Sequence, residues 1–148
     1  VVFARNTMAI VVKPGNPDRI SALADLPSAG VISLCAETAP CGRYADQILG
    51  RAGVTLPEDR VTRGQNAATA LAAVARGDAD AGIVYLTDAR ATVGVDTVEI
   101  PAADNADASY PIAVVNTTAN RDLAAAFVDL VSGPAGRAAL VAEGFIAP

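Results

Sequence analysis

"NAATALAAVARGDADAGIVYLTDA", residues 66 to 89, runs one helical passage directly into one strand. Asn66 is a good N-cap, Ala67, Ala70, Leu71 and Val74 fall on one helical face, and Gly77 supplies a stop. The run Ala81–Tyr85, "AGIVY", has the length and content of a buried strand. A helix delivered straight into an apolar strand predicts an α/β fold when the alternation recurs along the chain.

It recurs in both directions. Short apolar runs predict strands at Val1–Ala4, Met8–Val12, Val31–Cys35, Arg60–Thr62, Thr97–Ile100 and Ile112–Val115, and the sheet is expected to be largely parallel. "SALADLPSAG" reads as a short helix capped by Ser21 and stopped by Pro27. "CGRYADQILGRAG" puts Tyr44, Ile48 and Leu49 on one face and ends at Gly53. The closing stretch, "NRDLAAAFVDLVSGPAGRAALVAEGF", reads as two helices, capped at Asn120 and broken at Ser132–Gly133–Pro134. Those last helices need a sheet to cover, and Val1–Ala4 with Ile112–Val115 make a small one, so part of a second body is expected to be missing.

Composition narrows the function classes. The 148 residues are 52% hydrophobic and 18% charged, the balance of a folded domain. Runs such as "MAIVV" and "YPIAVV" fall far short of the roughly 20 residues a membrane-crossing helix requires. Net charge is −5 with scattered Lys and Arg, which argues against nucleic acid, because phosphate contacts need clustered cations. "VVFARNTMAI" already reads as strand and carries no export signal of its own.

The chain has no histidine, which removes Ser-His-Asp, Cys-His and His-metal arrangements. Cys35 and Cys41 alone make a poor zinc site, and the only candidates for a nucleophile or base are Tyr85 and Asp88, so the chain is read as no enzyme. The two thiols are either reduced and buried or joined across the turn "AETAP" between a strand end and a helix start. Joined, they would close a very short loop worth about 2 kcal/mol and would suit an exported protein.

Helix N-termini present unpaired N–H groups and partial positive charge, so they hold anions without Lys or Arg. Two starts qualify: Pro40–Cys41–Gly42, where Gly42 would allow a ligand close to the backbone, and Asn66–Ala67–Ala68. Tyr85 ends a strand and carries a phenolic donor. All three fall at the carboxyl ends of successive predicted strands, where open α/β sheets bind ligands.

These residues carry a resemblance. "FARNTMAIVV", "APCGRYADQIL", "GDADAGIVYLTDA", "YPIAVV" and the closing "GF" resemble, in order along the whole chain, the molybdate-binding proteins of bacterial ATP-driven importers. The resemblance implies the type II periplasmic-binding-protein fold, two α/β lobes with mostly parallel sheets joined by two crossover strands. It implies a second lobe over 6–111 and a partial first lobe over 1–5 and 112–148, with crossovers near Arg5–Thr7 and Tyr110–Pro111. The ligand implied is a tetrahedral oxyanion, molybdate or tungstate, and no other metal or cofactor. Its donors would be the Cys41 and Ala67 backbone N–H groups and the Tyr85 hydroxyl, supported by Gly42 and Asn66, with a Cys35–Cys41 disulfide beside the anion.

The family's N-terminal part of the first lobe, which brings two serine-type donors, has no counterpart here and is an expected partner. The implied protein is extracytoplasmic, in the periplasm or at the cell surface, free or as a lipoprotein. It would close its cleft on the anion and dock on the membrane permease of an ABC importer. The alternative on the same fold is the oxyanion-sensing domain of a transcription regulator, a cytoplasmic protein that would gain nothing from a disulfide.

Overall fold

The computed structural model describes residues Val1–Pro148. Contacts divide it into two compact units: Thr7–Ala106, and Val1–Asn6 with Asp107–Pro148. The chain passes between these units at Asn6–Thr7 and at Ala106–Asp107.

The larger unit is built on a five-stranded sheet. Its strands are β2 (Met8–Val12), β3 (Ile32–Cys35), β4 (Val61–Gly64), β5 (Ala81–Tyr85) and β6 (Asp96–Glu99), in spatial order β4-β3-β5-β2-β6. β4, β3 and β5 run parallel, whereas β2 is antiparallel to both β5 and β6, so the sheet is mixed where a largely parallel one was expected. All residues of β2, "MAIVV", are buried, the continuous apolar pattern of a strand covered on both faces.

Helices α1 (Pro40–Ala52), α2 (Ala67–Ala75) and α3 (Leu86–Ala91) follow β3, β4 and β5. α1 starts with proline at its first turn and stops at Gly53, whose φ of 67° is the left-handed cap that glycine supplies without steric cost. It buries Cys41, Gly42, Ala45, Ile48 and Leu49, so Tyr44 sits beside the buried stripe and is only half-buried. α2 buries Ala70, Leu71 and Val74, as its spacing predicts. The core joins these helices to Ile10, Val11, Leu34, Ile83 and Val84 of the sheet. Asn105 pins the start of β2 from within: its Oδ1 accepts from Met8 N at 3.0 Å and its Nδ2 donates to Met8 O at 2.8 Å.

The segment from Ser21 is a 3-10 helix over Leu23–Ser28 that contains Pro27, rather than one stopped by it. Ser21 does not cap it. The Asp25 carboxylate instead accepts from Ser21 N, Ser21 Oγ and Ala22 N, and these bonds hold its pKa below the usual carboxylate value. α3 was not foreseen, because its six residues are too few to show a period.

The smaller unit holds a two-stranded antiparallel sheet of β1 (Val2–Asn6) and β7 (Ala108–Pro111), with helices α4 (Arg121–Ser132) and α5 (Pro134–Ala142). The strand expected at Ile112–Val115 is not formed. Val2 already opposes Pro111, and Ile112 N reaches Val1 O at 2.8 Å, so the residues beyond it have no partner strand. The break between α4 and α5 falls at Gly133, as expected, and bends the pair by 55°. No single helix is long and apolar enough to cross a membrane.

Candidate functional site

Three neighbouring parallel strands end at one edge of the larger unit's sheet, and each runs into a helix. In the register of β3 and β4, Cys35 lies opposite Gly64, so the two strands terminate level with one another. Adjacent strands are spaced by about 4.8 Å, which puts the ends of β4, β3 and β5 within roughly 10 Å across the sheet. Cys41, Ala67 and Tyr85 therefore belong to three adjoining strand-to-helix junctions.

The first junction is closed covalently. Cys35 and Cys41 form a disulfide with a Cα separation of 5.8 Å, and both cysteines are buried. Within it, Ala39 N donates to Ala36 O at 2.9 Å, and Arg43 N donates to Ala39 O at 3.1 Å. Pro40 has no N–H, so Cys41 and Gly42 carry the first donors of α1. No side chain caps this helix, and its first turn holds no acid.

Packing also demands a glycine at position 42. A Cβ there would run into the Ala36 carbonyl oxygen and lie 2.9 Å from the Cys35 carbonyl oxygen. The absent side chain makes room for the end of β3, and it lets the first turn of α1 sit tightly against that strand. Gly64 does the same for the second junction, where a Cβ would stand 2.7 Å from both Ala70 N and Thr69 Oγ1.

At that second junction, Asn66 Oδ1 accepts from Thr69 N at 2.9 Å, while Thr69 Oγ1 accepts from Asn66 N at 3.1 Å. The cap satisfies Thr69 and leaves the earlier Ala67 and Ala68 N–H groups with no intrahelical acceptor. This first turn, too, has no acidic residue. α3 and α4, by contrast, each carry one, Asp88 and Asp122. Of the three helices that open at this edge, α1 and α2 keep their positive ends unneutralised.

Tyr85 closes β5 and immediately precedes α3. Its half-buried ring meets Tyr44 of α1 edge-on, with centroids 6.4 Å apart, which ties the third junction to the first. Asp88 lies against the groove lined by Ala68, Leu71, Ala72, Ala75 and Thr92, where burial pushes its carboxyl above the ordinary value.

Two contributors were missed in the sequence. Ala36 N donates to Gly64 O at 2.7 Å, joining the first two junctions, and Arg63 Nη1 donates to Cys35 O at 3.0 Å. The local signal was an arginine and a glycine closing the short run "VTRG", but their partners are far away in sequence.

The family described as bacterial extracellular solute-binding protein matches residues 1–146. The chain belongs to that family. Among its relatives, the molybdate-binding protein ModA of Mycobacterium tuberculosis is 37% identical over 148 residues, covering 99% of this chain and 56% of its own length. The chain thus spans little more than half of the curated relative it matches.

Solved structures share the fold. The periplasmic molybdate-binding protein of Azotobacter vinelandii superposes with a TM-score of 0.76 at 22% identity, over 100% of this chain and 68% of its own. The sulfate-binding protein SubI from M. tuberculosis does so with a TM-score of 0.82 at 22% identity, over 99% of this chain and 57% of its own. The fold is α/β, of the type II periplasmic-binding-protein class, as the resemblance implied.

Proposed function

We propose that this chain supplies the second lobe and part of the first lobe of an extracytoplasmic receptor for molybdate or tungstate, which delivers the oxyanion to the permease of an ABC importer. The anion is held by the backbone N–H groups of Cys41 and Ala67 and by the Tyr85 hydroxyl. The observation that carries the reading is the alignment of three parallel strand ends, two of them opening on helix first turns that lack any acid. The 37% identity to a molybdate-binding relative supports the choice of anion.

With no cation assigned to the site, the ligand's charge is balanced by helix-terminal dipoles and charge-assisted hydrogen bonds. Fixed donors then discriminate by size, because sulfate has the same charge and shorter bonds to oxygen. The reading includes no catalytic step. The buried disulfide and the family support an extracytoplasmic location over a cytoplasmic regulator. A further first-lobe segment completes the receptor, and the support for it lies in the smaller unit: Leu123, Phe127 and Leu130 form one exposed apolar stripe of α4.

Titration calorimetry of the full-length protein with molybdate, tungstate and sulfate tests the assignment. Molybdate at about 100 times its dissociation constant should raise stability by about 2.7 kcal/mol. Sulfate binding tightly while molybdate does not would overturn it. Cys41→Ser keeps the N–H and loosens the turn, so affinity should fall by about tenfold or less, rather than vanish.

A further inference from the structure

We propose that Arg63 is the positioning residue of the oxyanion site, fixing the turns that carry Cys41 and Ala67 relative to one another without touching the ligand. The inference rests on the receptor reading for its ligand and on the geometry of the larger unit for everything else.

Arg63 is the penultimate residue of β4, so its backbone leads through Gly64 into the Asn66 cap of α2. Its side chain turns the other way, toward α1. Nη1 donates to Cys35 O at 3.0 Å, and Nη2 stands 3.4 Å from Glu37 Oε1 and 3.5 Å from Asp46 Oδ1. One planar guanidinium thus touches the last residue of β3, the turn that follows it and the body of α1. A rigid fork of donors can do this, whereas a single ammonium cannot.

The charge is spoken for. Two carboxylates face the guanidinium, so Arg63 contributes direction rather than net positive charge to the edge where the anion would sit. The side chain is 28% exposed, so its bond to the Cys35 carbonyl is partly shielded from water, unlike an ordinary surface ion pair. Cys35 is also half of the disulfide, and Ala36, the next residue, gives its N–H to Gly64 O at 2.7 Å. The disulfide closes the first turn on itself. Arg63 and the Ala36–Gly64 bond fasten that closed turn to the second.

Arg60 provides an internal control. It precedes the opposite end of β4 and also donates to a backbone carbonyl, Ala29 O, at 3.4 Å. A general structural contribution from arginine would be shared by both residues, whereas a positioning role belongs to Arg63 alone.

The experiment compares wild type, Arg63→Met, Arg63→Lys and Arg60→Met in the full-length protein, with molybdate and sulfate as probes. Arg63→Met should weaken molybdate by about tenfold, the scale of one charge-assisted hydrogen bond. It should also narrow the molybdate-to-sulfate ratio, which global destabilisation alone would leave unchanged. Arg63→Lys should recover only part of the loss, and Arg60→Met should bind both anions as wild type does. Without ligand, Arg63→Met should speed amide hydrogen exchange at Cys41, Gly42 and Ala67, and Arg60→Met should not.

Equal affinity and selectivity in Arg63→Met and wild type would overturn the inference while leaving the receptor reading intact. If wild type binds no molybdate, the receptor reading falls, and the exchange measurement still decides whether Arg63 holds the two turns: unchanged exchange in Arg63→Met overturns the positioning role.

Discussion

The two units of this chain are built from similar material and bury it to different degrees. In Thr7–Ala106, helices and strands bury a continuous apolar cluster running from Met8 to Ala106. In the smaller unit, α4 and α5 have no buried residue at all, although α4 has the apolar spacing of a core-facing helix. Leu123 is 73% exposed, whereas Ile83 of the larger unit is wholly enclosed. Every ion pair also lies in the larger unit, from Lys13–Asp80 to Arg90–Glu99. An amphipathic pattern states what a helix requires, and only the partner layer states whether the requirement is met.

The sharpest way to break that contrast is Ile83→Ala. Ile83 pairs in register with Ile10 at the centre of the sheet, so truncation leaves a cavity that close-packed neighbours cannot fill. A loss of about 3 kcal/mol is expected from chemical denaturation. A loss below about 1 kcal/mol would mean that the larger unit is packed loosely, and the contrast would fail.

Asp80→Asn probes the polar framework of the same unit. The Asp80 carboxylate accepts from Lys13 Nζ at 2.6 Å and from Val31 N at 2.6 Å, and these bonds hold its pKa below the usual value of 3.8. A depressed carboxylate stabilises the fold above its unfolded pKa, and that stability is lost as pH falls through the lower folded value. The substitution should therefore cost about 1–2 kcal/mol at neutral pH, the scale of a hydrogen bond to a charged group. Denaturation at pH 7 and again at pH 3 should show the gap between wild type and variant closing in acid. A gap that persists at pH 3 would assign the effect to packing instead.

What could be read in the sequence follows the same division. β2, β5, α1 and α2 were legible because each carries its signal locally: an apolar run, a proline at the first turn, a stop at Gly53 or a cap at Asn66. β7 was misplaced because strand formation depends on where β1 lies, and Ile112–Val115 has the right residues without the partner. At the candidate site, Cys35 and Cys41 left open whether the turn between them is closed, and the structure joins them. The hold of Arg63 on Cys35 O joins positions 28 residues apart, and no periodicity reports it. Gly42 was visible as a glycine, but the nearby Ala36 carbonyl, which a side chain there would strike, was not.

The smallest effect is expected from Leu123→Ser and Leu130→Ser, which address the smaller unit directly. Both side chains lie more than half in solvent in this 148-residue chain, at 73% and 61% exposure, so little apolar surface is removed from water when they fold. Each substitution should shift the stability of the chain by no more than about 0.5 kcal/mol. The same changes made in the full-length protein should each cost about 2 kcal/mol or more, because a first-lobe segment lying over the stripe would bury both leucines. Denaturant midpoints of the two forms, measured side by side, separate the cases. Equal and negligible losses in both would show that the stripe stays in water, and the proposal that a further segment completes this unit over α4 would be discarded.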